Sequence, residues 1–236
     1  RCPSSHGRRV LMGKKAWSYS ALKSYEMCPR KYHEMSVAKN YQDKPSDIMM
    51  WGNDVHKAFE NNVANGEPFP IGMRQFEPIA AVLRASVGVR LVEQKLALNQ
   101  NFNPVTWFAK TTWVRTIVDL AVINGEKAVV VDYKTGKRKE DFDQLALMAA
   151  VMFNQAEELQ TISAMFVWLS DYDDEKPLEC LSIVTYNREE LPSLWERFQK
   201  REEEYQNAHR NSDFPAKPGG LCRRYCPVST CPYHGG

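Results

Sequence analysis

Ile117–Lys134, IVDLAVINGEKAVVVDYK, decides how this chain folds. Two apolar runs meet at Asn124-Gly125, the strongest short-range hairpin signal, because a type I′ turn needs positive φ at both central residues. With those two residues as the turn, facing positions have numbers that sum to 249. Asp119 then faces Val130, and Asp132 is its diagonal neighbour on the same face, about 7–8 Å away and within reach of one shared cation. Lys134, two residues beyond Asp132, points to that face as well.

Val118, Leu120, Val122, Val129 and Val131 fall on the other face, while Ile117, Ala121, Ile123 and Val130 accompany the aspartates. Both faces are apolar, so these are central strands. Two carboxylates and a lysine are costly to bury there without partners. A divalent cation holds two carboxylates ionised side by side. An isolated D-x-K is equally well a buried ion pair; the second aspartate weighs against that alternative.

Asp119 followed by Asp132-Tyr133-Lys134 resembles the split motif of the PD-(D/E)XK nucleases, in particular the RecB-like exonuclease branch, where DYKTG leads into a helix carrying glutamine. Gly52-Asn53-Asp54-Val55-His56 resembles the GxxxH motif of that branch. Gln144 in QLALM resembles its QxxxY motif, with Met148 in place of the final aromatic. The opening segment S-x-S-x-L-x-x-Y-x-x-CP, from Ser18 to Cys28-Pro29, is similar as well, so the likeness runs to about Cys231. It implies an α/β (α+β) restriction-endonuclease-like core: a central mixed β-sheet flanked by helices, its N- and C-terminal segments joined by a metal cluster. It also implies Mg²⁺ or Mn²⁺ held by His56, Asp119, Asp132 and the Tyr133 backbone carbonyl, with Lys134 orienting or deprotonating the attacking water. Glu93 falls where related nucleases carry an acidic residue on the preceding strand; its alternative is an edge-strand surface charge. Gln144 is placed to bond a substrate phosphate or to hold Lys134, the alternative being a capping glutamine.

Length and composition set wider bounds. A chain of 236 residues, 43% hydrophobic and 25% charged, suits one soluble domain with a sizeable core. A net charge of +2 does not by itself argue for nucleic acid. No run of 18 apolar residues is present and the start lacks a signal-peptide core, so the expectation is a cytoplasmic protein of a bacterial or phage-infected cell with no membrane contact. Residues 1–15 read as a tag or extension that carries Cys2, and 16–236 as a single nuclease domain including a cysteine segment over 219–236.

Outside the hairpin, Ser18 or Ser20 caps a helix over ALKSYEM, and Pro29 opens a second one through Val37. Residues 42–50 read as loop and Trp51–Val63 as a helix with His56, Phe59, Glu60 and Val63 on one stripe. A histidine on such a stripe is usually a satisfied core residue; the resemblance instead makes His56 a ligand. Helical periodicity also covers Ile79–Val89, Phe142–Phe153 and Arg188–His209, and strand patterns cover Arg90–Asn99, Ile162–Ser170 and Leu178–Tyr186. The acidic turn Asp171, Asp173, Asp174, Glu175 lacks the glycine and terminal glutamate of an EF-hand and reads as a solvated turn.

The tail PAKPGGLCRRYCPVSTCPYHGG has no apolar periodicity, so something other than burial must tie it down. Cys222, Cys226 and Cys231 need a fourth ligand: His234 for a local zinc site, or Cys28 for an iron–sulfur cluster. The resemblance implies the second, a structural 4Fe–4S cluster on Cys28, Cys222, Cys226 and Cys231. The spacing C-x3-C-x4-C, where the family has C-x2-C-x5-C, keeps structural Zn²⁺ as the alternative. Lys137, Arg138, Lys139, Arg223 and Arg224 lie in loops where they would neutralise phosphates, although such runs are usually solvated faces. Trp17, Tyr19 and Tyr25 would stack unpaired bases or else belong to the core. The expected activity is a metal-dependent exonuclease on DNA ends, single-stranded for preference, of a phage, repair or CRISPR-associated type. A catalytically silent recombination module and a structure-specific endonuclease are the rival classes.

Overall fold

The computed structural model describes residues 14–236; Cys2 and nearly all of the expected extension lie outside the described residues. Five strands, β1 (Val89–Leu98), β2 (Val114–Asn124), β3 (Lys127–Lys134), β4 (Thr161–Trp168) and β5 (Leu181–Asn187), form one sheet in the order of the chain. All neighbours are antiparallel except β3 and β4, whose parallel pairing requires a crossover. A helix over Phe142–Gln155 supplies it. The mixed sheet flanked by helices is the architecture that the resemblance implies.

The hairpin register differs from the sequence reading by two residues. Asn124 pairs with Lys127, so Gly125-Glu126 are the central turn residues and facing positions sum to 251. Gly125 alone takes the positive φ, +59°, that a glycine-first turn needs. A shift of two preserves every side-chain face. It moves Asp132 from the diagonal of Asp119 to the position directly across from it. The β2–β3 ladder ends at Leu120–Val131, one rung before the two aspartates.

A second departure lies on the rung shared by β1 and β2. Val92 pairs with Leu120 and Gln94 with Val118, while Glu93 and Asp119 between them are unpaired, Glu93 at φ +50°. Side-chain alternation slips by one residue there in both strands. Leu120 and Val122 enter one core layer, but Val118 enters the other, together with Ala121 and Val130. The placement of Val118 beside Leu120 is therefore corrected: period-2 patterning does not register a phase break inside a continuous apolar run.

One face of the sheet is covered by α1 (Tyr19–Met27), the crossover helix and a long C-terminal helix (Leu191–Asn211). A short helix, α2 (Pro29–Tyr32), continues as one π-turn through Val37. The other face carries α3 (Asp47–Asn65) and α4 (Glu77–Ala85). The crossover helix, α5, is apolar on all sides because it lies between sheet and α6, the long C-terminal helix; Leu145 to Phe153 are all buried. Helix α3 begins four residues before the expected Trp51, because Ser46 accepts from the Met49 amide as its N-cap. Its first turn, Ile48 to Trp51, is exposed, so no buried stripe announced it. No described helix is long and apolar enough to cross a membrane.

The chain ends meet at α1 and α2. The Arg30 amide donates to the Pro215 carbonyl at 3.2 Å, and Lys217 Nζ to the Glu26 carbonyl at 2.8 Å. Trp17, buried in the core, is held to β2 by its amide to the Trp113 carbonyl and by the Arg115 amide to its own carbonyl, both at 2.9 Å.

Candidate active site

The unpaired rung is the floor of an open cleft of about 870 Å³, bounded by α1, α3, β2 and the loop before β2. Asp119 and Asp132 are both buried, 8% and 4% exposed. The Asp119 carboxylate accepts from the Tyr133 amide at 2.9 Å, taking the place of the ladder bond that stops one rung earlier. Since the N–H and C=O of one strand residue serve the same edge, the Tyr133 carbonyl faces the β2 side too. Its ring points away, stacked on Phe59 of α3 at 4.2 Å.

His56 reaches the floor from α3. Its Nδ1 lies 3.3 Å from Asp119 Oδ2, and that hydrogen bond raises the imidazole pKa against the opposing effect of burial. Gly52, one turn earlier, lets α3 approach the strand end: a Cβ there would sit 3.1 Å from Thr135 Oγ1. Ligand atoms of His56, Glu93 and Asp119 all lie within 4.8 Å of one another. Burial, then the charge of Asp119, pushes the Glu93 carboxyl above its ordinary value. Two acids and an imidazole so close suit a divalent cation, which relieves that repulsion.

The other half of the floor is closed on itself. Gln144, in the first turn of α5, donates from Nε2 to Asp132 Oδ1 at 2.7 Å and accepts from Lys134 Nζ at 3.0 Å. Lys134 Nζ lies 2.5 Å from Asp132 Oδ2, an ion pair out of hydrogen-bond alignment, so that buried oxygen has no hydrogen-bond partner. Burial is the main force holding the Asp132 carboxyl up at about 6, against the pull of Lys134. The Asp132 carboxylate, buried on the cleft floor, is a further candidate ligand beside the His56–Glu93–Asp119 group. The residues fit a divalent metal.

Residues 73–232 match the PD-(D/E)XK nuclease superfamily. The chain is a member of that superfamily. Membership makes it a metal-dependent nuclease with a nucleic-acid substrate. No curated protein matches the chain. Among solved structures that are similar is one described as "Crystal structure of SSO0001", aligned over 95% of this chain and 90% of that chain at a TM-score of 0.45 and 12% identity; a likeness of that degree carries no argument.

Within this PD-(D/E)XK site, His56, Glu93, Asp119, Asp132, Lys134 and Gln144 all line one cleft, together with Met148. Glu93 lies half-buried on the edge strand β1, with a carboxylate oxygen within 4.8 Å of ligand atoms of Asp119 and His56. Of the basic residues expected beside it, Lys137, Arg138, Arg223 and Arg224 do not line the cleft. Arg138 is occupied in the fold, donating to the Glu179 and Leu181 carbonyls at 2.9 and 3.2 Å. Trp107 and Arg115 do line it, and the sequence reading missed them. For Trp107 the signal was the aromatic pair Trp107-Phe108 in a connecting loop.

The four cysteines are free thiols lining one small cavity between α2 and the tail. Cys28 Sγ accepts from the Lys31 and Lys217 amides at 3.5 and 3.4 Å, and Cys222 Sγ from the Gly219 amide at 3.4 Å. A tetrahedral zinc would hold its sulfurs about 3.8 Å apart. Among the described residues no three of these sulfurs come within 4.8 Å of one another. His234 does not line the cavity.

Proposed function

We propose that this nuclease is an exonuclease that hydrolyses DNA from its ends, acting on single strands, with Asp119, Asp132, Glu93 and His56 as the metal-holding residues and Lys134 as the residue that handles the attacking water. The observation that carries the assignment is the cross-strand pair Asp119–Asp132 with Lys134 two residues on, at the base of an open cleft and beside the His56–Glu93–Asp119 triad. A divalent cation bound there supplies a water of lowered pKa and relieves charge on the scissile phosphate. The imidazole in its shell favours Mn²⁺ over Mg²⁺.

The remaining chemistry belongs to the chain. Asp119 is oriented by the Tyr133 amide and His56, so one carboxylate oxygen is fixed in place. Gln144 is a positioning residue: it fixes the Asp132 carboxylate and the Lys134 ammonium relative to each other. Lys134, whose ammonium also lies 5.2 Å from the Phe166 ring centroid, orients the water and balances charge that develops on the phosphate. End-directed cutting is supported by the RecB-like GxxxH and glutamine motifs, single strands by the half-buried Tyr19 and Trp107 rings that line the cleft.

The cysteine cavity we assign to a structural 4Fe–4S cluster on Cys28, Cys222, Cys226 and Cys231. Sulfurs that line one cavity support it, as do amide hydrogen bonds to two of them. The contacts of Pro215 and Lys217 with α1 and α2 support residues 16–236 working as one unit. An anaerobic preparation should be brown with matching iron and sulfide; a colourless protein with stoichiometric zinc overturns this part.

The activity test is release of nucleotides from linear single-stranded DNA with Mn²⁺, with a closed circle of the same sequence left intact. Lys134→Ala should lower the rate by about 10² to 10⁴-fold with binding retained. Cutting of the circle would make the protein an endonuclease; failure to cut either would leave it a binding module.

A further inference from the structure

The catalytic cleft does not end at its own rim. Across Ala16 and Arg115 it adjoins a second cleft of about 340 Å³, and those two residues line both. Its lining carries Lys14, Lys15, Lys110, Arg115 and Arg210, with His209 beside them and no acidic side chain among its residues. In a chain with a net charge of only +2, five permanent cations gathered on one concave surface is a local asymmetry that composition does not require. Lys14 is spoken for by Glu202 at 3.4 Å. Lys15, Lys110 and Arg210 are exposed. The Nε of Arg115 is buried with no hydrogen-bond partner among the described residues.

Aromatic surface stands at the junction. The Arg115 guanidinium lies 5.4 Å from the Trp107 ring centroid and 5.8 Å from that of Phe108. Phe108 is 85% exposed, so one face of its ring is open to a partner. Trp107 lines the catalytic cleft and Arg115 lines both clefts, so this guanidinium joins the reaction site to the basic cleft with the exposed Phe108 ring beside it. Cations that track a backbone, alternating with rings that take bases, are how unpaired nucleic acid is held without regard to sequence.

We propose that the second cleft is a backbone-binding groove for the part of a single-stranded nucleic acid that extends away from the scissile phosphate, with Arg115 at the joint and Phe108 as a stacking platform for an unpaired base. The proposal rests on the nuclease reading for its geometry, but its test does not need cutting. It predicts that affinity grows with strand length until both clefts are spanned.

Binding is measured by fluorescence anisotropy in EDTA, so that no hydrolysis occurs, using short and long oligothymidylates over a salt series. Each phosphate contact on a single strand contributes about 0.7 to the slope of log affinity against log salt, so Lys15→Gln/Lys110→Gln/Arg210→Gln should flatten the long-strand slope by about 2. The short strand, confined to the catalytic cleft, should show no such change. Phe108→Ala should weaken the long single strand by roughly tenfold and leave a duplex of equal length unaffected. These side chains are exposed, and coincident thermal unfolding confirms an intact fold. An unchanged slope in the triple variant overturns the groove; equal losses on duplex and single strand from Phe108→Ala overturn the stacking role. Absence of Mn²⁺-dependent hydrolysis by the parent protein would sink the nuclease chemistry instead, with the binding slopes still deciding the groove.

Discussion

The catalytic cleft and the cysteine tail both gather metal-binding side chains, and they are held by opposite means. Asp119 and Asp132 stand on central strands with buried apolar layers on both sides, so the sheet places them with or without an ion. The tail beyond α6 has one buried apolar side chain, Val228, and hangs on hydrogen bonds such as Arg30 to the Thr230 carbonyl. A site carved into a core survives loss of its cofactor. A segment with no core of its own does not.

Paired substitutions test that contrast most severely. Asp119→Asn should abolish metal-dependent hydrolysis, by about 10³-fold or more, while the unfolding transition stays cooperative and shifts little. Cys222→Ser should do the reverse at its own site: cluster absorbance is lost and residues 213–236 become open to limited proteolysis. The sheet itself should still unfold near the parent temperature. If Cys222→Ser unfolds the whole chain, the tail is no appendage to the core and the contrast fails.

Within the cleft a milder asymmetry follows. The half with His56, Glu93 and Asp119 awaits a cation, whereas Asp132, Lys134 and Gln144 satisfy one another. Gln144→Ala leaves a buried carboxylate oxygen and the ammonium each short of one partner, a cost of about 1–3 kcal/mol. That should appear as roughly a tenfold loss or more in kcat with KM little changed, and Gln144→Glu should not rescue it, because a carboxylate cannot donate to Asp132. A change confined to KM would move Gln144 from positioning to substrate contact.

The sequence carried this site further than the details of its geometry. Asp132 and Lys134 were legible on one face of β3, because an error of two in register leaves its faces unchanged. The direct opposition of the aspartates was not legible, since Asn124-Gly125 favours a turn one residue earlier than the one that forms. Nor was the slip in alternation at Glu93 and Asp119, a tertiary event inside apolar strands; its trace is the positive φ of Glu93, a strained backbone of the kind that clusters at functional sites. Trp107 escaped notice because a loop has no period from which to infer where it folds back, and Arg115 because it reads as an ordinary polar position at the start of β2.

Acid should probe the junction where tail and core meet. His209 on α6 is hydrogen-bonded to the Tyr32 hydroxyl at 3.0 Å and packs against Phe214. Burial first, then Lys15 and His33, lower its pKa from 6.5 to about 4. The unfolded chain therefore binds this proton more readily than the folded one between those values. Stability contributed by the neutral imidazole is complete above pH 6.5, falls as pH drops, and is fully lost near pH 4. His209→Gln should flatten that part of the stability–pH curve in chemical denaturation; an unaltered curve would mean that other groups set the acid limit.

The smallest effect concerns the turn that sets the register beneath the cleft. Gly125 takes φ +59°, whereas Asn124 is paired with Lys127 in the ladder. Gly125→Ala must place a Cβ in the left-handed region, at a cost of about 1–2 kcal/mol. In a domain of this size each kcal/mol lowers Tm by about 2–4 °C. Asn124→Thr, by contrast, puts a better strand former at a strand position and should be neutral or slightly stabilising. Under the alternative turn, with Asn124 itself at positive φ, the threonine would be the costly change because a β-branched residue resists that conformation. The sign of the Asn124→Thr shift therefore distinguishes the two registers, and with them whether Asp132 lies across from Asp119 or one step along the diagonal.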